Sequence, residues 1–353
     1  MPDMPETRLA RAPMKLRASL HETIWGGQRL RDVGGKALPE GQLIGEYWET
    51  ADDALIIEGP YTGATLAFVV AAEGARFIGR RATEIYGVRF PLLAKFIDAQ
   101  QWLSVQVHPD DAYAAAHEGG KLGKTECWYI LHADPGAQII YGVTRPVSSA
   151  EVRAAIERVE LESLVQSVAV APGDAILVPA GTVHAIGAGI VLFELQEYSD
   201  VTYRLYDYGR LQANGKPRDL HIERGLEVMT YSPAPTIKVT PVAAPADGQG
   251  ERRILVACDY FVEEEWRVAG QMNGEVTDSS LVILAALEGA YTLRSAEGGA
   301  LSVQRGETVV LPAGMGSYTI EGQARLIRAY TPEADDAALL SWRAAQPSAD
   351  VSK

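Results

Sequence analysis

Three places in the chain carry side chains of the kind that bind a divalent metal. Gln106 and His108 stand two apart in the run Trp102 to His108, and on a strand such residues point to one face. Glu126 opens the apolar run Glu126-Cys127-Trp128-Tyr129-Ile130-Leu131. A carboxylate there is costly unless paired or bound to a cation. His184 follows the corner Pro179-Ala180-Gly181. Two imidazoles, a carboxylate and an amide oxygen suit zinc, with iron, manganese and cobalt also compatible. A lone histidine is more often a hydrogen-bonded core residue, but His108 and His184 together with Glu126 favour one metal ion per chain. The open coordination position would take water or substrate oxygens. Among the other histidines, His117 and His221 fall on expected helix faces and His132 at a strand end, so a surface or structural role fits each. Cys127 neighbours Glu126 on the same strand, so its sulfur faces packing on the opposite side.

An internal repeat shows what must position these residues. Residues 173–184 read GDAILVPAGTVH and residues 306–317 read GETVVLPAGMGS, an offset of 133. In each, a Gly turn leads into a buried strand, and Pro-Ala-Gly re-aims the chain into the next one. Upstream, Leu131 to Ala137 resembles Leu284 to Ala290 at an offset of 153, so the first copy carries an insertion. The capping box Ser148 to Glu151, followed by Val152, Ile156, Val159 and Leu164, marks it as helical. His184 is replaced by Ser317 in the second copy, and the upstream offset maps Glu126 to Ser279. The expected fold is mainly β: two cupin-type β-barrels (jelly rolls) with a few helices inserted in or flanking the first. Further helices are expected at 109–118 and 219–229. The expected division is a metal-binding catalytic domain at 14–231, a linker at the Pro- and Ala-rich 232–250, and a second, metal-free cupin-like domain at 251–332. The first dozen residues and those from Pro332 onward read as peripheral.

Composition narrows the partners. With 46 acidic against 32 basic residues the net charge is −14, which disfavours nucleic acid and anionic membranes. A phosphorylated small molecule then needs a local basic cluster. Lys95, Lys124, Ser104 and Arg210 are the available donors, with Lys124 beside Glu126 close enough to serve catalysis as well. Two cysteines, Cys127 and Cys258, imply no disulfide framework. The N-terminus lacks the apolar run of a signal peptide, and no stretch is long and apolar enough to span a bilayer. The expectation is a cytoplasmic monomer or homodimer.

Several segments resemble the type I mannose-6-phosphate isomerases: Leu103 to Asp110, Gly123 to Tyr129, and Glu194-Leu195-Gln196 through Tyr203-Arg204-Leu205-Tyr206-Asp207. Trp25-Gly26-Gly27 and Gly45-Glu46-Tyr47-Trp48 look like that family's N-terminal segment, and the resemblance covers about Leu16 to Thr331. It implies zinc on Gln106, His108, Glu126 and His184, a catalytic role for Arg204, and interconversion of mannose 6-phosphate and fructose 6-phosphate. Ser199-Asp200-Val201 departs from the Ser-Asp-Asn of longer members, which points to the shorter bacterial branch. Such a reaction moves a proton between neighbouring carbons through an enediol, with the base either Glu194 or a metal-bound hydroxide. A salt bridge from Glu194 to Arg204 or Lys95 is the competing role for that carboxylate. Two other functions share the same ligands: a cupin dioxygenase, which usually takes its early ligands from His-x-His rather than Gln-x-His, and a non-enzymatic sugar-binding cupin.

Overall fold

The computed structural model describes residues 11–212, 215–297 and 299–346. The architecture is mainly β, in three antiparallel sheets. A seven-stranded sheet runs Lys238–Val239, Ala175–Val178, Glu126–Ala133, Ile190–Glu197, Leu92–Ala99, Ile44–Trp48, Ser19–Gly27. A five-stranded sheet runs Tyr203–Tyr206, Val105–Val107, His184–Ile186, Gln138–Val143, Val165–Ala169. In the second half of the chain, the long strands Val262–Val276, Gly316–Tyr330 and Val282–Ser295 form the middle of a nine-stranded sheet.

Strand Ile190–Glu197 shows how sequence pattern sets the layers. All eight residues are buried. Val191, Phe193 and Leu195 enter the core shared by the two halves, while Ile190 and Leu192 enter the interior of the first half. Glu194 and Gln196 continue that inner row, so one face of one strand turns from apolar to polar as it nears the candidate metal ligands. The neighbouring strand Leu92–Ala99 is likewise buried along its whole length and places Lys95 opposite Glu194. Helices Ser149–Glu157 and Ile222–Val228 cover the outside of the five-stranded sheet, and the expected capping box is present on Ser148 and Glu151.

The repeat is real, and the strand registers correct its alignment. Val178 pairs with Glu126 in the first copy, and its counterpart Leu311 pairs with Val282 in the second. Glu126 therefore corresponds to Val282, not to Ser279. The residue skipped in the ladder, Leu131 in one copy and Leu287 in the other, agrees with this; the motif similarity is displaced because small and apolar residues recur on both sides of that irregularity. The Pro-Ala-Gly corners match in detail. Gly181 (φ 85°) donates its N–H to the His108 carbonyl at 2.8 Å, and Gly314 (φ 69°) donates to the Thr277 carbonyl at 2.7 Å. Both need the left-handed backbone that glycine adopts without strain.

Four features were not legible in advance. The proposed linker 232–250 contains strands Lys238–Val239 and Val242–Ala244 and the start of Gly248–Ala257, each paired into a sheet. The first described strand, Met14–Arg17, joins the sheet of the second half by pairing with Thr308–Leu311. Helices Leu66–Glu73, Ala75–Ile78 and Arg80–Tyr86 fill the junction between the halves. The segment after Pro332, read as peripheral, forms helix Ala337–Ala345, capped by Asp336. That helix docks through Trp342, which is fully buried and donates its indole N–H to the Leu255 carbonyl at 3.0 Å. Among the described residues no helix is long and apolar enough to cross a membrane.

Two of the buried carboxyls at the junction between the halves, Glu263 and Glu197, have no cation beside them to offset burial. Glu263 receives a hydrogen bond from the Cys127 thiol at 2.6 Å, and Glu197 receives the Thr125 N–H at 2.8 Å. Burial pushes the pKa of each up to about 8. In the unfolded chain both ionise near the usual carboxylate value, so between roughly pH 5 and pH 8 the native state holds protons the unfolded state has released, and stability is lost as pH rises. Glu197→Gln and Glu263→Gln, which cannot ionise, should each gain stability relative to wild type across that window. The limiting slope is about 1.4 kcal/mol per pH unit per site, read from urea unfolding at several pH values. A difference from wild type that stays flat with pH contradicts this assignment.

Candidate metal centre

The site lies where the inner faces of the seven- and five-stranded sheets meet. Along the five-stranded sheet, Arg204, Gln106, His184 and Tyr141 are direct cross-strand partners. Across from them, Glu126 pairs with Gln196, and one step along the same strands Trp128, Glu194, Lys95 and Trp48 form a second row. Adjacent strands thus deliver ligand-type and charged side chains to one volume from residues far apart in sequence.

His108, Glu126 and His184 are all buried, and their ligand atoms lie within 4.8 Å of one another. His108 Nε2 stands 3.5 Å from Glu126 Oε2, and His184 Nε2 stands 3.4 Å from Glu126 Oε1. Each imidazole is oriented from behind: His108 Nδ1 donates to the Val201 carbonyl at 2.9 Å and His184 Nδ1 to the Thr182 carbonyl at 2.8 Å. That tautomer leaves both Nε2 lone pairs facing Glu126, the outer arrangement expected of metal-binding histidines. Burial and the Lys124 ammonium press the His108 pKa down to about 3, and burial lowers that of His184, so both rings are neutral at pH 7. The Gln106 amide lies 3.3 Å from His184 Nε2. Its oxygen and nitrogen exchange places by a simple flip, and a cation would select the oxygen.

Glu126 is fully buried, and neither carboxylate oxygen accepts a hydrogen bond. Lys124 Nζ is nevertheless 2.6 Å from Oε2 and 3.3 Å from His108 Nε2. Its positive charge, together with the imidazoles, holds the Glu126 carboxyl well below the usual carboxylate range in spite of burial. A buried, ionised carboxylate whose two oxygens each face one imidazole lone pair, Oε1 that of His184 and Oε2 that of His108, is a donor set that fits a divalent metal.

Behind the ligands lies a buried ion array. Lys95 Nζ sits 3.1 Å from Glu194 Oε1 and 3.6 Å from Glu46 Oε2, and over the Trp48 ring at 4.8 Å. Trp128 donates its indole N–H to Glu194 Oε2 at 3.1 Å. Burial and the nearby Glu126 charge raise the Glu194 pKa, only partly opposed by Lys95 and Lys124. Of the two salt bridges weighed for Glu194, it forms the one to Lys95. Glu46 and Trp48 complete the array; in the sequence they stood out only as part of a segment resembling the family, with no role assigned, although their alternate spacing aims both side chains to the same face.

The remaining expected donors gather at the far edge of the five-stranded sheet. Arg204 donates through Nε to Ser104 Oγ at 3.2 Å and through Nη1 to the Asp219 carbonyl at 2.9 Å. Arg210 and Arg218 both pair with the Asp207 carboxylate, with Arg218 Nε at 2.8 Å from Oδ2. Burial and these two neighbouring arginines lower the Arg204 pKa. The basic cluster therefore comprises Arg204, Arg210 and Arg218 beside Ser104, separate from the pair Lys95 and Lys124. His221 supports it by accepting the Arg204 backbone N–H at 3.2 Å. Arg218 and His221 come from a loop that no spacing rule ties to the strands. Cys127 faces away from the centre, bonded to Glu263.

Comparison with known proteins places the whole chain. Residues 14–129 match the family model for the phosphomannose isomerase type I catalytic domain, and residues 251–331 that for the mannose-6-phosphate isomerase cupin domain. A mannose-6-phosphate isomerase of Streptococcus mutans is 37% identical over 327 residues, covering 91% of this chain and 99% of the relative. The crystal structure of the Bacillus subtilis mannose 6-phosphate isomerase superposes with a TM-score of 0.80 at 34% identity, over 90% of this chain and 99% of that one. A zinc-bound mannose 6-phosphate isomerase structure, 20% identical, shares the fold with a TM-score of 0.71, over 91% of this chain and 100% of that one. With ligand-type residues converging on one buried carboxylate and relatives this similar over nearly their whole length, the chain belongs to the type I mannose-6-phosphate isomerase family.

Proposed function

We propose that this protein interconverts mannose 6-phosphate and fructose 6-phosphate, using a single zinc ion held by Gln106, His108, Glu126 and His184. The observation that carries the reading is the convergence of two neutral imidazoles on the buried, ionised Glu126 beside a buried lysine–glutamate array. A zinc ion there, when bound, supplies a Lewis-acidic positive charge for the sugar oxygens on which negative charge develops.

The protein groups supply the rest. Glu194 takes the proton from the carbon beside the carbonyl and returns it to the neighbouring carbon, because its raised pKa brings it towards the range where a base both accepts and releases a proton near neutral pH. Lys95 fixes the Glu194 carboxylate, and Trp128 holds its other oxygen. Lys124, within 4.0 Å of Glu194 and 2.6 Å of Glu126, places an ammonium where it can donate to a sugar oxygen as the enediol forms. Arg204 adds a fixed positive charge on the opposite wall. The phosphate is received by Ser104, Arg204 and Arg210, with Arg218 sharing the Asp207 carboxylate that orients them. This leaves Lys95, also a candidate phosphate donor on sequence grounds, committed to Glu194 and Glu46 on the other side of the centre.

Purified protein should form fructose 6-phosphate from mannose 6-phosphate, lose that turnover on chelation and regain it with zinc. Absence of turnover in a sample with one metal ion per chain contradicts the function. Glu194→Gln should lower kcat by about 10²–10⁴-fold with the metal content unchanged, and Arg204→Ala by about 10²-fold or more. Near wild-type rates in either variant remove that residue from the mechanism.

A further inference from the structure

The second half of the chain repeats the strand order of the first, so each residue of the metal centre has a counterpart fixed by pairing. In the first half Lys95 lies opposite Glu194, and Glu46 lies opposite Ile97. In the second half Glu264 lies opposite Arg328, and Arg252 opposite Trp266. Lys95 thus corresponds to Glu264, Glu194 to Arg328, and Glu46 to Arg252. The buried array Glu46, Lys95, Glu194 reappears with every sign reversed. Glu264, fully buried, is bridged by Arg252 through Nε at 3.0 Å and Nη2, and by Arg328 Nη1 at 3.4 Å. The metal positions Gln106, His108, Glu126 and His184 correspond to Glu275, Thr277, Val282 and Ser317. Only one of these four is a common metal ligand, so this copy holds no metal set.

The space was not closed by packing. A cavity of about 400 Å³ remains there, lined by Arg252, Trp266, Glu275, Val282, Arg328 and Thr331, among others. That volume is in the range of small-molecule sites. The Thr331 side-chain oxygen is buried without a hydrogen-bond partner, and Thr331 itself is 1% exposed. A buried hydroxyl left unpaired is a cost that a ligand or ordered water removes.

The lining selects a ligand class. Guanidinium donors from Arg252 and Arg328 alternate with hydroxyls and with carboxylate acceptors, and Trp266, Met272 and Val282 add apolar wall. A ring bearing several hydroxyls, each both donor and acceptor, with C–H faces between them, meets that pattern. Carboxylates of Asp247, Glu275, Glu333, Asp335 and Asp336 also line the cavity and outnumber the two arginines, which repels a phosphorylated ligand. We propose that the second half carries a metal-free binding site for a neutral, unphosphorylated hexose, built on the charge-inverted copy of the isomerase centre.

The test is calorimetric titration of D-mannose into the metal-loaded full-length protein, with the first site saturated by the equilibrated 6-phosphate sugars and turnover recorded on the same sample. Binding of one D-mannose per chain should persist under saturation. Arg252→Gln should weaken it about tenfold and Thr331→Val about threefold or more, with kcat and KM for mannose 6-phosphate within about twofold of wild type. Thr331→Val preserves shape, so the test stands even if Arg252→Gln fails to fold. The proposal is overturned by no binding of D-mannose up to about 50 mM, by its complete displacement by the 6-phosphate sugars, or by wild-type affinity in both variants. Loss of turnover with D-mannose binding retained would instead count against the isomerase reading alone.

Discussion

The structure turns on one buried charge. Glu126 sits at zero exposure, ionised, between two imidazoles whose far nitrogens are tied to backbone carbonyls. Removing a carboxylate from water is expensive, and the cost is met only by cations placed with good geometry. Lys124 supplies one such charge at Oε2, and the geometry at Oε1 calls for a second. Strand Glu126–Ala133 is fixed on its other face by Cys127 to Glu263 and Tyr129 to Glu265 at 2.7 Å, so the second half of the chain braces the strand that presents the ligand.

The two halves share one strand template, and each accommodates buried charge in a mainly apolar fold. Both copies fill the same row on the inner face of the sheet with an ion triad rather than with hydrophobes, buried at Lys95, Glu194, Glu264 and Arg328 and half-buried at Glu46 and Arg252. The sign of the triad is free so long as opposite charges meet. In the first copy the net negative array sits behind the candidate metal ligands His108, Glu126 and His184; in the second, where Thr277, Val282 and Ser317 stand at those positions, the array is net positive and the space remains open.

Much of the centre was legible in the sequence because strand alternation is a strong rule. The Gln106 and His108 spacing, Glu126 at a strand start and His184 after a Pro-Ala-Gly corner were enough to bring three buried ligand residues together. Where reading from sequence fell short, tertiary context decided. Trp342 anchors a helix whose local sequence is merely Ala-rich. Helices Leu66–Glu73 and Arg80–Tyr86 are stabilised by the junction they fill rather than by a strong amphipathic stripe. The offset that mapped Glu126 to Ser279 failed because motif similarity cannot see a ladder irregularity at Leu131 and Leu287. The roles of Glu46 and Trp48 were hidden because alternate spacing puts both on one face but does not say what that face meets until the pairing of Trp48 with Lys95 is known.

The most direct test of the metal assignment is anomalous diffraction at the zinc edge from crystals of the zinc-loaded protein. The structure predicts one strong peak per chain, within bonding distance of His108, Glu126 and His184 and with the Gln106 amide oxygen turned towards it. A peak absent from that position, or located instead between Glu275, Thr277 and Ser317 in the second half, contradicts it.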